Sequence, residues 1–185
     1  LNSLAVLAAI SALGADVEQA AATLADLHPL PGRGARTTIQ TETGAITMID
    51  ESYNANPSSM RAAMAVLGAA KNTDRRIAVI GDMLELGERS VAHHAALAAV
   101  FADIASTIEL DEVILVGPEM QALRVVLPEI LIGVEVSSEP RPDEQAMLRI
   151  ASRLARGDTV LFKGSRGIGL ERVIECLESG ASAGE

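Results

Sequence analysis

The sequence predicts a three-layer α/β fold built on a mainly parallel β-sheet. Short apolar runs, such as residues 76–81 and 159–162, are typical of buried strands. Segments with helical spacing of apolar residues lie between these runs. Strands that alternate with helices in this way favour a parallel sheet with helices on both faces.

The first thirty residues indicate a small helical region that is separate from the sheet. Residues 1–15 place apolar side chains along one helical face and lack the basic leading segment of a secretory signal, so we expect a helix cut from a longer protein. Asp16 and Gln19 have the spacing of a capping box that opens a second helix through about residue 27. Prolines and glycines in residues 28–34 then predict a domain boundary, which divides the chain into 1–30 and 31–185.

Beyond the boundary the elements follow in a regular order. The predicted strands are residues 36–40, 45–50, 76–81, 112–116, 132–136 and 159–162. The predicted helices are residues 57–70, 91–106, 119–127, 143–156 and 167–178. Thr43-Gly44 separates the first two strands and predicts a hairpin, which would add an antiparallel element at one edge of the sheet. Residues 179–185 are predicted to be a frayed tail.

Composition excludes several classes of partner. The chain has 185 residues and a net charge of -10, which gives no electrostatic footprint for nucleic acid or for an anionic membrane surface. No apolar run is long enough to span a membrane. The single cysteine, Cys176, lies in a helical pattern and indicates a packed thiol in a disulfide-free cytoplasmic protein.

The segment I-D-E-S-Y-N-A-N-P-S-S-M, residues 49–60, carries the densest set of polar side chains. It begins at the end of an apolar run and continues into helical spacing after Pro57, so its polar residues lie where a strand leads into a helix. Asn56 suits the cap of that helix and Pro57 its first turn. In a parallel sheet this position belongs to the edge that forms ligand sites.

Two further motifs follow predicted strands. G-D-M-L-E-L-G-E, residues 81–88, places Asp82 and Glu85 in a loop after a strand. K-G-S-R-G-I-G, residues 163–169, brings Lys163, Ser165 and Arg166 to the start of a helix, and such a set suits a carboxylate or a phosphate. Lys163 could instead brace the end of the sheet through a salt bridge.

Other motifs carry less weight. G-S-R-G-I-G resembles the glycine turn of a dehydrogenase, but it lies near the end of the chain, where no second strand with a ribose-binding acid can follow. The chain contains no G-x-x-x-x-G-K-[ST] phosphate-binding loop. His93 and His94 are adjacent in a predicted helix and point in different directions, so we predict a surface or core role for them and no metal site.

The motifs D-E-S-Y-N-A-N-P-S-S-M-R-A-A, A-V-I-G-D-M-L-E-L-G-E and L-F-K-G-S-R together resemble the signatures of the Mur ligase family, in their family order. The resemblance is to the branch of these bacterial ligases that adds D-Ala-D-Ala to UDP-MurNAc-tripeptide. L-N-S-L-A-V-L-A-A is similar to the helix that closes the family's central ATPase domain, and P-G-R-G to the linker that enters its C-terminal domain. The resemblance covers essentially the whole chain but only the last part of such an enzyme.

The resemblance implies an activity and a set of contacts. Family members use ATP to form an acyl-phosphate on the UDP-linked peptide, and the incoming amine then attacks it to build a peptidoglycan precursor. By this similarity ATP would be contacted by Asn2, Arg33, Asp50, Glu51, Tyr53, Asn54 and Asn56. The amino-acid substrate would be contacted by Asp82, Glu85, Lys163, Ser165 and Arg166. Many relatives have two aspartates at the position of Asp50 and Glu51, so which of the two acids meets the nucleotide stays open.

The resemblance also implies what lies elsewhere. The catalytic phosphate-binding loop and the Mg²⁺ ligands are expected upstream of Leu1, so we expect no catalytic residue in this chain, no activity from it alone, and a cytoplasmic monomer. Three alternatives remain at this stage: a sister ligase that adds a different amino acid, a nucleotide-binding oxidoreductase module, and an α/β interaction domain without catalytic function.

Overall fold

The computed structural model describes residues 2–26, 29–41 and 44–182, with the side chains of residues 2, 181 and 182 outside that description. The chain divides into two compact units, Leu1–Leu30 and Pro31–Glu185. No helix within the described ranges combines the length and the apolar character needed to cross a lipid bilayer.

The first unit contains helices α1 (Asn2–Ala12) and α2 (Val17–Ala22), followed by a 3₁₀ turn (Thr23–Asp26). The Asp16 carboxylate accepts the Gln19 N–H at 3.0 Å, so the predicted cap of α2 is confirmed. The helix is shorter than predicted, because the Thr23 hydroxyl donates to the Ala20 carbonyl at 2.7 Å and offers the backbone an alternative partner. Its predicted end at Leu27 lies outside the described residues.

The second unit alternates strands and helices. Its strands are β1 (Ala35–Thr41), β2 (Gly44–Glu51), β3 (Arg75–Gly81), β4 (Glu112–Val116), β5 (Glu135–Glu139) and β6 (Asp158–Lys163). Its helices are α3 (Pro57–Gly68), α4 (Ser90–Ala105), α5 (Gln121–Arg124), α6 (Leu127–Ile130), α7 (Glu144–Arg153) and α8 (Glu171–Ser182). Short 3₁₀ turns at Gly87–Arg89 and Arg166–Ile168 precede α4 and α8.

The six strands form one sheet in the order β1-β2-β6-β3-β4-β5. The β1–β2 hairpin is antiparallel, and every other neighbouring pair is parallel. This confirms the predicted fold class, including the antiparallel hairpin at one edge. The hairpin residue Thr43 itself lies outside the described residues.

Alternate residues along the strands pack against opposite helical layers. In β3, Ala78 and Ile80 belong to the core formed with α3 to α6, whereas Ile77 and Val79 belong to the core formed with α7 and α8. Successive side chains of a strand point to opposite faces, so a strand buried on both faces is apolar throughout. The sheet is therefore the middle of three layers.

Several predicted boundaries in this unit were wrong, including the end of α7, which lies at Arg153 instead of residue 156. The single helix predicted over residues 119–127 is replaced by α5 and α6, because in one continuous helix the ring of Pro128 would clash with the carbonyl of Arg124, where α5 ends. Strand β5 begins at Glu135 instead of residue 132, since its pairing with β4 sets Glu135 opposite Glu112. The last helix begins at Glu171, after the 3₁₀ turn, and continues to Ser182 into the region predicted to fray.

Candidate functional site

The carboxyl ends of β2, β6 and β3 lie side by side, because β6 is inserted between the other two strands. In the parallel register Lys163 pairs with Glu51 on one side and with Ile80 on the other. The segments that follow these strands therefore begin at one edge of the sheet, which is the edge where ligands bind in such folds. The three sequence motifs thus come together in the structure.

The Asp50 carboxylate ties the segment before β1 to the end of β2. Its Oδ2 accepts the Gly32 N–H at 2.8 Å, and its Oδ1 accepts the Ser52 N–H at 3.1 Å and the Ser52 hydroxyl at 2.5 Å. Two backbone bonds, from Gly34 N–H to the Asp50 carbonyl and from Tyr53 N–H to the Gly32 carbonyl, complete this junction. Asp50 therefore fixes the backbone on both sides of Arg33.

Tyr53 lies between two arginines that come from distant parts of the chain. The Arg33 guanidinium carbon is 4.0 Å from the centre of the Tyr53 ring, and that of Arg166 is 5.5 Å from it. Distances of this size are typical of cation–π contacts. Hydrogen bonding and the positive charge of Arg33, followed by those of Arg166, lower the pKa of the Tyr53 phenol. The result is an exposed patch of positive charge around one aromatic ring.

Two depressions adjoin this patch. The first has a volume of about 220 Å³ and is lined by Pro31, Gly32, Asp50, Ser52, Tyr53, Arg166 and Glu171. The second has a volume of about 260 Å³ and is lined by Tyr53, Asn54, Leu84, Glu85, Ser165, Arg166 and Gly167. Tyr53 and Arg166 belong to both, so they form the wall that the two depressions share.

Lys163 lies beneath the surface, with 2% of its area exposed. Its ammonium donates to the Asn54 carbonyl and, at 3.5 Å, to the Glu51 carbonyl, and it lies 3.6 Å from the Glu51 carboxylate. Burial lowers the pKa of Lys163, and the Glu51 carboxylate opposes that shift. In this arrangement Lys163 braces the loop that follows β2, as the second of the two interpretations from sequence anticipated.

The two asparagines of the loop have local roles. The Asn54 side chain accepts the N–H of Ala55 at 2.8 Å. Asn56 caps α3: its side chain accepts the Ser59 N–H at 2.9 Å, and the Ser59 hydroxyl accepts the Asn56 N–H at 3.1 Å. The predicted cap at Asn56 and the predicted position of Pro57 in the first turn are confirmed.

Asp82 is buried and does not reach either depression. Its Oδ1 accepts the Met120 N–H at 2.9 Å and its Oδ2 the Glu119 N–H at 3.3 Å, so the carboxylate holds the segment after β4. Burial raises the pKa of Asp82, while the two N–H donors oppose that shift. This geometry favours a positioning role over the direct substrate contact expected from the sequence.

Glu85 and Ser165 line the second depression, and their contact with the amino-acid substrate stays a prediction. Glu85 is exposed and has a φ of 64°, a left-handed conformation that is uncommon outside glycine. The Ser165 hydroxyl accepts the Leu84 N–H at 2.9 Å, and the Ser165 N–H donates to the Asp82 carbonyl at 3.0 Å. Ser165 therefore connects the loops that follow β6 and β3.

Of the surface or core role predicted for His94, the structure shows the core: the side chain is fully buried. Its contact with the loop after β3 was not predicted. A signal was available: His94 shares a helical stripe with Leu97 and Phe101, which are both core residues. Of the other predicted residues, Asn2 has its side chain outside the described residues. In the described ranges no three His, Cys, Asp or Glu side chains are grouped to hold a metal ion.

The sequence profile described as "Mur ligase, glutamate ligase domain" matches residues 35–166. The chain belongs to the Mur ligase family. Residues 49–60, 81–88 and 163–166 of the three motifs fall within the matched range, and Gly32 and Arg33 lie just before it. The family resemblance inferred from the motifs is thereby confirmed.

Curated relatives match nearly the whole chain. UDP-N-acetylmuramoyl-tripeptide--D-alanyl-D-alanine ligase of Escherichia coli (strain K12) is 33% identical over 177 residues, which cover 96% of this chain and 36% of that protein. The ligase of the same name from Mycobacterium tuberculosis (strain CDC 1551 / Oshkosh) is 32% identical over an alignment 200 residues long, gaps included, which covers 99% of this chain and 38% of that protein. The chain therefore spans little more than a third of the length of these relatives.

Solved structures of Mur ligases have the same fold. MurF from Acinetobacter baumannii (crystal structure II) aligns with a TM-score of 0.71 at 28% identity, over 96% of this chain and 37% of that one. MurF ligase from Thermotoga maritima, crystallised in complex with ADP, aligns with a TM-score of 0.66 at 28% identity, over 97% of this chain and 37% of that one.

Proposed function

We propose that this chain is the C-terminal part of an ATP-dependent, ADP-forming ligase that joins D-Ala-D-Ala to UDP-MurNAc-tripeptide in peptidoglycan synthesis. The observation that carries the proposal is the meeting of Arg33, Tyr53 and Arg166 between two depressions at the carboxyl edge of the sheet. The choice of substrates is supported by the names of the curated relatives and by the ADP in the T. maritima structure.

The first depression suits a nucleotide. Arg166 lines it, and Arg33 lies 4.0 Å from the ring of Tyr53, another lining residue. Guanidinium groups can make charge-assisted hydrogen bonds to phosphate oxygens, and these are among the stronger hydrogen bonds in proteins. Of the two neighbouring acids, Asp50 lines this depression, whereas Glu51 pairs with Lys163. We therefore assign the nucleotide contact to Asp50 and a bracing role to Glu51.

The second depression suits the dipeptide. D-Ala-D-Ala carries an ammonium at one end and a carboxylate at the other, and the depression offers the Glu85 carboxylate and the Arg166 guanidinium. Opposite charges placed in this way would orient the dipeptide with its amine in a defined direction. Lys163 and Asp82 support this wall from beneath without touching the dipeptide.

The cofactors and the domain arrangement of the whole ligase are also part of the proposal. ATP and Mg²⁺ are proposed as the cofactors of the whole ligase, and the phosphate-binding loop and the Mg²⁺ ligands are assigned to parts of the protein other than these 185 residues, which span little more than a third of the relatives. Residues 1–30 are proposed to belong to the central ATP-binding domain and residues 31–185 to the C-terminal domain. Closure of such domains around an acyl-phosphate would exclude the water that hydrolyses it. The cytoplasmic location and monomeric state stay predictions.

The proposal is tested by phosphate release from ATP in a complete ligase that carries this chain as its C-terminal part. UDP-MurNAc-tripeptide is supplied with and without D-Ala-D-Ala, and the 185-residue chain alone is the control. We expect release that requires both substrates and none from the chain alone. Arg166→Gln should raise the KM for both ATP and the dipeptide, whereas Arg36→Gln, an exposed change on β1, should leave both unchanged.

Other outcomes point to other functions. Release with a different amino acid, but not with D-Ala-D-Ala, would identify a sister ligase. Phosphate release that occurs when no acceptor has been added would contradict the ligase proposal. Phosphate release by the chain alone would also contradict it.

A further inference from the structure

The loop after β3 has two buried residues followed by two exposed ones. Asp82 and Met83 are 1% and 0% exposed, whereas Leu84 and Glu85 are exposed and line the second depression. Glu85 adopts a left-handed backbone, a conformation that persists in a non-glycine residue only when its surroundings hold it. The position of the Glu85 carboxylate therefore depends on what fixes residues 82–84.

His94 of α4 fixes the middle of this loop. Its Nε2 accepts the Met83 N–H at 2.9 Å, and its Nδ1 lies 2.8 Å from the Ser90 carbonyl. A carbonyl only accepts and an N–H only donates, so these two partners assign the neutral ring with its proton on Nδ1. The Asp82 carboxylate is 4.0 Å from Nε2, but a neutral imidazole forms no ion pair with it.

Two other contacts hold the residues on either side of Met83. The Asp82 carboxylate is fixed by backbone N–H groups after β4, and the Leu84 N–H donates to Ser165. Of these hydrogen bonds, only the one to His94 has its acceptor on α4, the helix that follows the loop. The His94 ring is 0% exposed and touches neither depression, so direct contact with a ligand is excluded.

We propose that His94 is a positioning residue for the dipeptide side of the site: its neutral ring holds the Met83 N–H and so places Leu84 and Glu85 in the wall of the second depression. This inference rests on the proposed function, because it assigns His94 to the recognition of the incoming dipeptide. The role requires a hydrogen-bond acceptor at the position of Nε2, and another side chain that places an acceptor there could replace the imidazole.

The test compares two amide side chains at position 94 in the complete ligase. The amide of His94→Gln can place an oxygen near the site of Nε2 and accept the Met83 N–H, whereas the shorter His94→Asn cannot reach it. We expect His94→Asn to raise the KM for D-Ala-D-Ala about tenfold with little change in the KM for ATP, because one buried donor loses its acceptor. His94→Gln should restore a KM near wild type, and His93→Gln at the neighbouring, partly exposed position should change neither value.

The outcomes separate this inference from the function on which it rests. A wild-type enzyme whose phosphate release does not depend on D-Ala-D-Ala overturns the proposed function. The role of His94 alone is overturned if wild-type release depends on D-Ala-D-Ala but the Asn and Gln variants have equal KM values for the dipeptide. It is also overturned if the KM for ATP rises in parallel with that for the dipeptide. If His94→Asn does not fold, His94→Leu, which fills the space without offering an acceptor, takes its place: a dipeptide KM raised in the Leu variant but not in His94→Gln supports the role, and equal values overturn it.

Discussion

Replacing Gly117 with alanine should destabilise the sheet domain far more than the same change at another glycine with positive φ. Gly117 follows β4 with a φ of 113°, and a Cβ there would lie 2.3 Å from Oδ2 and 2.6 Å from Oδ1 of Asp82. Gly133 has a φ of 82° and no atom within 4 Å of a Cβ. Gly133→Ala therefore measures the backbone strain alone, and Gly117→Ala adds the displacement of a buried carboxylate.

The two magnitudes follow from these contacts. Left-handed backbone costs an L-residue about 1–2 kcal/mol, and the cost at Gly117 is at least as large as that at Gly133, because its φ of 113° lies farther from the left-handed helical region. Moving Asp82 also breaks its bonds to the N–H groups of Glu119 and Met120, and hydrogen bonds to charged groups contribute about 1.5–3 kcal/mol each. The free energy of unfolding should thus fall by roughly 3 kcal/mol or more in Gly117→Ala beyond the loss in Gly133→Ala.

Urea unfolding followed by circular dichroism measures this difference. We expect a lower midpoint for Gly117→Ala with an unchanged dependence on urea, since the surface exposed on unfolding is the same. Equal losses of stability in the two variants would refute the reasoning, because they would mean that Asp82 moves aside without cost.

Two further predictions concern titrating groups at the site. The chain has one tyrosine, so ultraviolet absorbance titration reports Tyr53 alone; its midpoint should lie below the ordinary value of 10.0 and return towards it more in Arg33→Gln than in Arg166→Gln. The reverse order would contradict the distances of 4.0 and 5.5 Å. Burial holds the pKa of Lys163 below the ordinary value of 10.5. At pH values just below 10.5 the Lys163 amine therefore binds more protons in the unfolded chain than in the folded one, so the contribution of Lys163 to the free energy of unfolding rises with pH. Urea unfolding at about pH 8 and pH 10 measures the free energy of unfolding of wild type and of Lys163→Met, and we expect wild type to gain stability relative to the variant at the higher pH. The same difference at both pH values would contradict the effect of burial.

The sequence was informative about which residues end the strands. Continuous apolar runs mark strands buried on both faces, so the segments after β2, β3 and β6 could be located to within a residue or so. Only the edge strand β5 was displaced, because its partly exposed residues, Glu135–Glu139, carry no continuous apolar run. Local patterns also sufficed for the caps at Asp16 and Asn56, whose partners lie three residues away.

Which polar side chains reach the surface could not be predicted in the same way. Lys163 is buried because β6 is inserted beside β2, which brings Glu51 and Asn54 to it from more than a hundred residues away. Asp82 is buried because a segment near Met120 supplies its N–H partners. Both outcomes depend on strand order, a property of the whole chain that no local spacing encodes.

The position of β6 has a consequence for how the protein forms during synthesis. It is the last of the six described strands to leave the ribosome, yet it lies third in the sheet. Until residues 158–163 emerge, β2 and β3 lack the strand that joins them, and each has an unpaired edge open to wrong pairing. This strand and the turn after it deliver Lys163 and Arg166, so the sheet becomes continuous and the candidate site becomes complete only after residues 158–166 have emerged.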